Sequence, residues 1–247
     1  MTLIYQTLLA THALAGIIGL AFFWMPLLSR KGGGFHKRTG KAFIASMQLV
    51  GLTAVGMTLM LFVIPLELRG ALDESPASQL QIVTRTRELA QLLLTLGLLL
   101  LANSRQAVLV LRYKDTRIPL RLWGHQVLVL MLLVASLNLL YLAANEGGAL
   151  AYVFSILGLG NALSIGRYLY RSNLPKGAWL LAHIGNVLGA GIGAHTAFLV
   201  FGGRAFLAQW ISGDAQLMLW LAPSVLGGVT IILISRHYSR RMSSTPG

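Results

Sequence analysis

Long apolar segments alternate with short polar connections along most of the chain. Seven of these segments reach the roughly 20 apolar residues that a helix needs to cross the hydrocarbon core of a bilayer. They lie near 4–28, 42–66, 87–111, 119–144, 148–170, 178–202 and 215–236. The connections are short and show no shift in composition, so residues 1–247 are predicted to form a single integral membrane domain. The predicted fold is an all-α bundle of seven transmembrane helices.

The sixth segment, residues 178–202, carries no formal charge and has Gly185, Gly189 and Gly193 at intervals of four. A stripe of small residues allows helix backbones to approach closely in lipid, where little hydrophobic force holds helices together. Helical geometry places His183 and His195 about 120° to either side of this stripe. Little of the helix surface then remains for lipid. The sixth helix is therefore predicted to be central and to pack through its glycines.

The composition agrees with a membrane protein. The chain has 247 residues, of which 55% are hydrophobic and 11% are charged, whereas a soluble domain has about 25% charged residues. The net charge of +13 comes from short basic runs between apolar segments, a pattern typical of loops that face anionic lipid headgroups and not of nucleic-acid binding. With no cysteine, disulfides and thiolate metal sites are excluded.

The N-terminal segment lacks a basic region before its apolar run and is predicted to be a retained helix, not a signal peptide.

The distribution of basic residues predicts the orientation. Connections on one side of the predicted bundle, together with the C-terminal tail, hold 15 basic residues, and the alternate connections hold four, including Arg204. Because cytoplasmic loops are enriched in lysine and arginine, the N-terminus is predicted outside and the C-terminus inside. The longest outer connection, near 67–86, contains Pro76 and short polar residues and is expected to be the most irregular part. The predicted localisation is therefore the cytoplasmic membrane, with the basic connections on its cytoplasmic face.

Four histidines fall within predicted spans, at two depths. His12 and His195 lie about 6–8 Å outside the midplane, and His125 and His183 lie about 10 Å inside it, by helical rise. Two facing imidazoles are a natural ligand set for haem b. The two depths therefore suggest an outer His12/His195 site and an inner His125/His183 site, each a possible haem-binding pair. Any other metal or quinone at these positions stays open.

The alternative is that these histidines are structural, each forming a hydrogen bond across a helix interface.

Arg105 is the only charged residue well inside a span. It either extends to the inner headgroups or pairs with a bound anion. The seventh segment lacks the lysine that a retinal Schiff base needs, and the chain has no HExxH zinc motif.

Two stretches together resemble a family of uncharacterised bacterial multi-pass membrane proteins, a domain of unknown function. KGGGFHKRTGKAF, after the first segment, is similar to the family's KGxxxHRxxG-type cytoplasmic loop, and WLLAHIGNVLGAGIGAHTAFLVFG is similar to a late helix of the family. Val187 and Leu188 stand near the position where that helix would have methionine. The resemblance implies a polytopic helical fold with no assigned activity. The family features carried by matching position are His36, Arg38, Gly40, His183 and His195.

Two classes of function follow. The first is an integral membrane protein of unassigned activity, such as an accessory subunit or a handler of a small solute or lipid, in which the histidines are structural or line a polar site. The second is a haem-b-type electron-transfer protein. His36, Arg38 and Arg105 are the candidate contacts to anionic headgroups at the inner face. A membrane-protein partner or a homo-oligomer is compatible with either class, and whether the protein is an enzyme stays open.

Overall fold

The computed structural model describes residues 2–203 and 214–243, and these residues form helices joined by short connections, with no strand among them. A 3-10 turn, Ile118–Arg121, precedes the fifth helix, and a π-helical turn, Phe198–Gly202, extends the seventh. The α-helices are α1 (Thr2–Leu28), α2 (Gly34–Val63), α3 (Pro65–Arg69), α4 (Pro76–Arg112), α5 (Trp123–Glu146), α6 (Ala149–Tyr170), α7 (Ala178–Ala197) and α8 (Asp214–Ser243).

Six of the described helices are long and apolar enough to cross a membrane: α1, α2, α4, α5, α6 and α7 with its π-helical extension. They correspond to the first six predicted spans. In α8 the strongly apolar part is shorter, Leu221–Ile234. The prediction of an all-α, multi-pass membrane fold is thus confirmed. The connection 204–213, which contains Arg204 of the charge count, lies outside the described residues.

The expectation that residues 67–86 form the most irregular part of the chain is wrong. α4 begins at Pro76, eleven residues before the predicted span, and continues without interruption to Arg112. Ser75 is its N-cap, and the Ser75 hydroxyl accepts a hydrogen bond from the backbone N–H of Ser78. Proline is favourable at the first helical position because its missing N–H would be unpaired there in any helix. The polar residues after Pro76 therefore extend a helix instead of forming a loop.

The central helix is α4, and the prediction that the sixth span is central is wrong. In the most apolar window of each helix, 61% of α4 is buried against 28% of the sixth span. α4 packs against α2, α5, α6 and α7. Its buried side chains include small and polar ones, such as Ala90, Thr95 and Ala102. Small side chains let several helices approach one axis, which is why α4 can occupy this position.

Close helix contacts occur at glycines other than the predicted stripe. A Cβ atom on Gly51 of α2 would lie 3.2 Å from the carbonyl oxygen of Gly97 in α4, so the two backbones nearly touch there. On α6, a Cβ atom on Gly158 would collide with the Ser136 hydroxyl of α5. These positions bring α2 close to α4 and α6 close to α5, by the tight helix approach that substitutes for a hydrophobic driving force in lipid.

Two basic residues of the connection between α4 and α5 close the C-terminal end of α6. Arg117 donates to the carbonyl oxygens of Tyr168 and Ser172, at 3.0 and 3.2 Å, and also to that of Arg171. Arg121 donates from Nε to the Leu169 carbonyl at 3.0 Å. The last carbonyls of a helix have no partner within the helix, and positive charge is favourable there. These arginines therefore fix α6 relative to α4 and α5.

Candidate functional site

A cavity of about 570 Å³ lies between α4, α6, α7 and α8. Its wall is mostly apolar, but four uncharged amide side chains face it: Asn103, Gln106, Asn161 and Asn186. Its volume falls within the range of roughly 300–1,000 Å³ that is typical of sites for small molecules. Polar groups within transmembrane helices are costly, and they commonly mark ligand or substrate sites. We refer to this space as the amide cavity.

The hydrogen bonds of the amide cavity leave several buried polar atoms without a protein partner. Asn161 Nδ2 donates to Asn103 Oδ1 at 2.7 Å, and Asn186 Nδ2 donates to the Ala182 carbonyl at 2.7 Å. Gln106 Oε1 accepts from His125 Nε2 at 2.8 Å. The atoms without a partner are Asn161 Oδ1, Asn186 Oδ1, Gln106 Nε2 and His125 Nδ1. Since buried polar groups in proteins are nearly always hydrogen-bonded, these atoms need a partner from outside the protein, such as a bound molecule or a buried water.

Glycine creates the space of the cavity. Gly160 of α6, Gly185 and Gly193 of α7 and Gly228 of α8 all line it, and a Cβ atom added at any of the four would meet nothing within 4 Å. At Gly189 an added Cβ would make only ordinary contact with the Asn103 amide, at 3.5 Å. Among the described residues, the stripe of Gly185, Gly189 and Gly193 therefore borders a cavity. The close packing expected from the spacing of four occurs elsewhere in the bundle.

A second cavity, of about 540 Å³, lies on the other side of α7, against α1, α2 and α4. Its wall is apolar apart from a few groups that include His12, Thr58 and Asn103. Four residues line both cavities: Leu99, Asn103, Gly189 and Gly193. Because two of these four have no side chain, the wall between the cavities is thin, and the Asn103 side chain is its main polar element.

The two histidines predicted to form the outer pair, His12 and His195, contact different parts of the bundle. His12 Nδ1 lies 3.1 Å from the Val50 carbonyl and 3.1 Å from the Thr53 hydroxyl, and so links α1 to α2. His195 Nδ1 donates to the Gly191 carbonyl of its own helix at 2.7 Å. The His195 ring contacts Phe23 and Trp24, with centroid distances of 5.1 and 5.7 Å. These two aromatic residues are eleven and twelve positions beyond His12 on α1, roughly 17 Å by helical rise.

The inner histidines, His125 and His183, are separated by the central helix. His125 of α5 bonds Gln106, and His183 of α7 donates from Nδ1 to the carbonyl of Ala107 at 3.0 Å. Gln106 and Ala107 are neighbours on α4, and both are fully buried. α4 thus stands between α5 and α7 at this level, so the two imidazoles bind it from different sides. The depth matching seen in the sequence does not correspond to a face-to-face arrangement.

The haem interpretation has no support in this arrangement. Within residues 2–203 and 214–243, no group of three or more histidine, aspartate, glutamate or cysteine side chains is placed to hold a metal ion. Each of the four span histidines hydrogen-bonds through one ring nitrogen to a protein group, which is the contact that the structural interpretation expects. The structural interpretation of the histidines accounts for these contacts without a cofactor.

The predicted inner-face residues are placed separately. His36 lies in the first turn of α2 and donates from Nδ1 to the Pro26 carbonyl at 3.0 Å, which ties the start of α2 to the end of α1. Lys31 also closes α1, because its amine donates to the Pro26 carbonyl at 2.9 Å; burial lowers the pKa of this amine. Arg38 and Arg105 are exposed, and their contact with headgroups stays a prediction.

Sequence reasoning missed the four amides. It considered ionisable residues inside spans and left out uncharged ones, although Asn103, Gln106, Asn161 and Asn186 all stand within apolar segments. Amides at membrane depth indicate a candidate site for the same reason that charges do, because each brings donors and acceptors that lipid cannot satisfy. That signal is present in the sequence, but it does not reveal which amides share a cavity.

The helices and the buried amides define the class: the chain is a multi-pass helical membrane protein with a mostly apolar cavity, lined by four amides, inside its bundle. Comparison with other proteins takes the identification no further. No family model matches the chain, and no curated protein or solved structure matches it either. The function must therefore be argued from the site.

Proposed function

We propose that this chain is a seven-span protein of the bacterial cytoplasmic membrane that binds a small molecule in the amide cavity, as a handler of a solute or a lipid. The observation that carries the proposal is Gln106. Its side chain is fully buried and lines the cavity, and its Nε2 has no protein partner. Leaving one buried amide group unpaired costs about 1–3 kcal/mol. A bound molecule that pairs with Gln106 would remove this cost.

The histidines have a structural role in this proposal. His12 connects α1 to α2, His125 connects α5 to α4, and His183 connects α7 to α4. Such hydrogen bonds between transmembrane helices each contribute about 1 kcal/mol. The resemblance of the His36–Gly40 region and of the sixth span to a bacterial membrane family of unknown function fits this role, since His36 joins α1 to α2.

The proposal is tested by filling the cavity. Leucine at Gly185 should fit without a clash, because nothing lies within 4 Å of the added Cβ, and its side chain should occupy the space of the ligand. Gly166→Leu is the matched control: its Cβ is equally free, but Gly166 does not line the cavity. Native mass spectrometry of the full chain should show a retained small molecule in wild type and Gly166→Leu and not in Gly185→Leu. Equal occupancy in all three, or in none, would contradict the proposal.

The seven-span topology rests on α8. Its 30 residues, Asp214–Ser243, could span a bilayer at 1.5 Å per residue, and its apolar part, Leu221–Ile234, is centrally placed. With seven spans the N-terminus lies outside and the C-terminus inside, which puts the basic connections in the cytoplasm beside anionic headgroups.

Cysteine labelling tests the orientation, and the natural chain has no cysteine to interfere. Asp73 and Ser172 are both exposed, in the connections before α4 and before α7. A membrane-impermeant maleimide applied to intact cells should label Asp73→Cys and leave Ser172→Cys unlabelled until the membrane is permeabilised. The opposite labelling pattern would reverse the orientation.

A second candidate function is passage of the molecule through the bundle. The two cavities share the wall formed by Leu99, Asn103, Gly189 and Gly193, so a small movement of the Asn103 side chain would join them. In a counterflow assay with reconstituted protein, Gly193→Leu should block exchange if the route crosses this wall.

A further inference from the structure

We propose that the amide cavity takes an uncharged amphiphile whose headgroup carries a hydroxyl or N–H donor next to a carbonyl or ether acceptor, and that its apolar tail lies in the lateral opening of the cavity. This inference rests on the proposed function, because it names the class of molecule for that site. The evidence is the hydrogen-bonding requirement of the amides, the position of the charges and the apolar mouth.

Asn186 sets the strictest requirement. Its Nδ2 donates to the Ala182 carbonyl, which can only accept, so the amide cannot turn round without losing this bond. Asn186 lines the cavity, and its buried Oδ1 is an acceptor with no protein partner. Only a donor satisfies it, that is, an O–H or N–H group on the bound molecule. A molecule with acceptors alone, such as a fatty ester or an oxidised quinone, leaves Asn186 unpaired.

Gln106 and Asn161 are less selective than Asn186, because each amide can present either a donor or an acceptor to the bound molecule. As placed, Gln106 Nε2 offers a donor and Asn161 Oδ1 an acceptor. Each amide bonds a partner that can exchange roles with it: the His125 imidazole for Gln106 and the Asn103 amide for Asn161. A headgroup that both donates and accepts over a short distance, as an alcohol beside an ester does, matches these three residues.

The distribution of charge favours an uncharged headgroup at the depth of the amides. Among the described residues that line the cavity, the charged ones are Arg167 and Arg171, and both are exposed. Arg167 lies six residues beyond Asn161 on α6, roughly 9 Å by helical rise. An anionic headgroup would be attracted to that rim and away from the amides. The deep part of the cavity is uncharged, and the cost of burying a charge there favours a neutral headgroup.

The mouth of the cavity suits an apolar tail. Ile156 and Leu157 of α6 line the cavity although they are 61% and 41% exposed. They border an opening beside a transmembrane helix, so the space outside it is lipid. On the opposite side Ile192 of α7 and Ile231 of α8 continue the apolar lining. An amphiphile can thus enter sideways from the bilayer with its headgroup towards Asn186.

The experiment compares three probes of equal chain length on the full chain in phosphatidylcholine nanodiscs, whose headgroups have no hydrogen-bond donor. The probes are 1-monolauroylglycerol, methyl laurate and laurate, and the readout is the shift of the thermal unfolding temperature with probe concentration. We expect monolauroylglycerol to raise this temperature in a saturable manner and methyl laurate to have no specific effect. Laurate should not compete with monolauroylglycerol.

Asn186→Leu should weaken monolauroylglycerol binding about fivefold, the usual effect of one lost neutral hydrogen bond. Asn145→Leu is the matched control, because Asn145 makes the same bond to the carbonyl four residues earlier, also at 2.7 Å, on an exposed surface. It should bind like wild type. Equal binding of methyl ester and monolauroylglycerol, preference for laurate, or full affinity in Asn186→Leu would overturn the ligand class and leave a binding cavity. If no probe binds, and if wild type and Gly185→Leu do not differ in the small molecule that they retain, the proposed function fails too.

Discussion

Gly191→Leu is expected to destabilise the folded protein by about 3 kcal/mol or to prevent its accumulation, because over-packing of a tightly filled site costs roughly this amount. A Cβ atom at Gly191 would collide with the Phe23 ring of α1. The ring is itself held by Phe43, at a centroid distance of 5.4 Å, and by His195. Phe23 has no space to retreat, so α1 must move away from α7.

The stability comparison uses the full chain in detergent, with thermal unfolding or a denaturant titration as the readout. Gly166→Leu on α6 should keep or raise stability, because its Cβ meets no atom, it does not line the cavity and leucine favours the helix over glycine by about 0.8 kcal/mol. Phe23→Leu should partly restore the milder Gly191→Ala variant by removing the clashing ring edge. Equal stability of Gly191→Leu and Gly166→Leu, or no restoration by Phe23→Leu, would contradict the contact of α1 with α7.

The second large effect is expected at the buried pair His125–Gln106. His125→Leu leaves Gln106 without a side-chain partner, and Gln106→Leu leaves His125 with neither ring nitrogen bonded. Each change should cost about 2 kcal/mol, the usual penalty for a buried polar group left unpaired. The double variant removes both groups and should cost less than the sum of the singles by about 1 kcal/mol or more.

A double-mutant cycle on the free energy of unfolding measures this coupling. Tyr170→Phe serves as the control, since it removes a 2.7 Å hydrogen bond to Gln126 on the exposed surface. That substitution should change stability by no more than about 0.5 kcal/mol. Strict additivity of the two single changes at His125 and Gln106 would mean that the pair does not hold α5 against α4.

Local hydropathy was sufficient to find the helices. The fifth span, predicted at 148–170, is Ala149–Tyr170, and the sixth begins at Ala178 as expected. Such accuracy follows from the membrane itself, because every backbone group in lipid must be paired within the segment, so apolar length nearly determines a helix. The start of α4 at Pro76 was missed because hydropathy reports only the apolar part of a helix. Its first turns contain polar residues, and hydropathy does not detect a helix that extends beyond the hydrocarbon.

The packing of the helices against one another could not be predicted from local hydropathy. The spacing of Gly185, Gly189 and Gly193 is that of a packing stripe, but a stripe is close-packed only if another helix lies against it. Here the described neighbours leave the stripe open, and the close approach occurs at Gly51 and Gly97. The depths of the histidines were likewise read along the helices, whereas pairing depends on which helix stands between them. α4 separates His125 from His183.

By itself the sequence determined that this is a multi-pass helical membrane protein, because hydropathy is a property of local segments. Only the tertiary structure decided that α4 is central, that the histidines bind protein groups and that four amides share one cavity. These facts depend on which side chains from distant segments meet. A buried amide such as Gln106 becomes a candidate site only when its neighbours are seen to leave it without a partner.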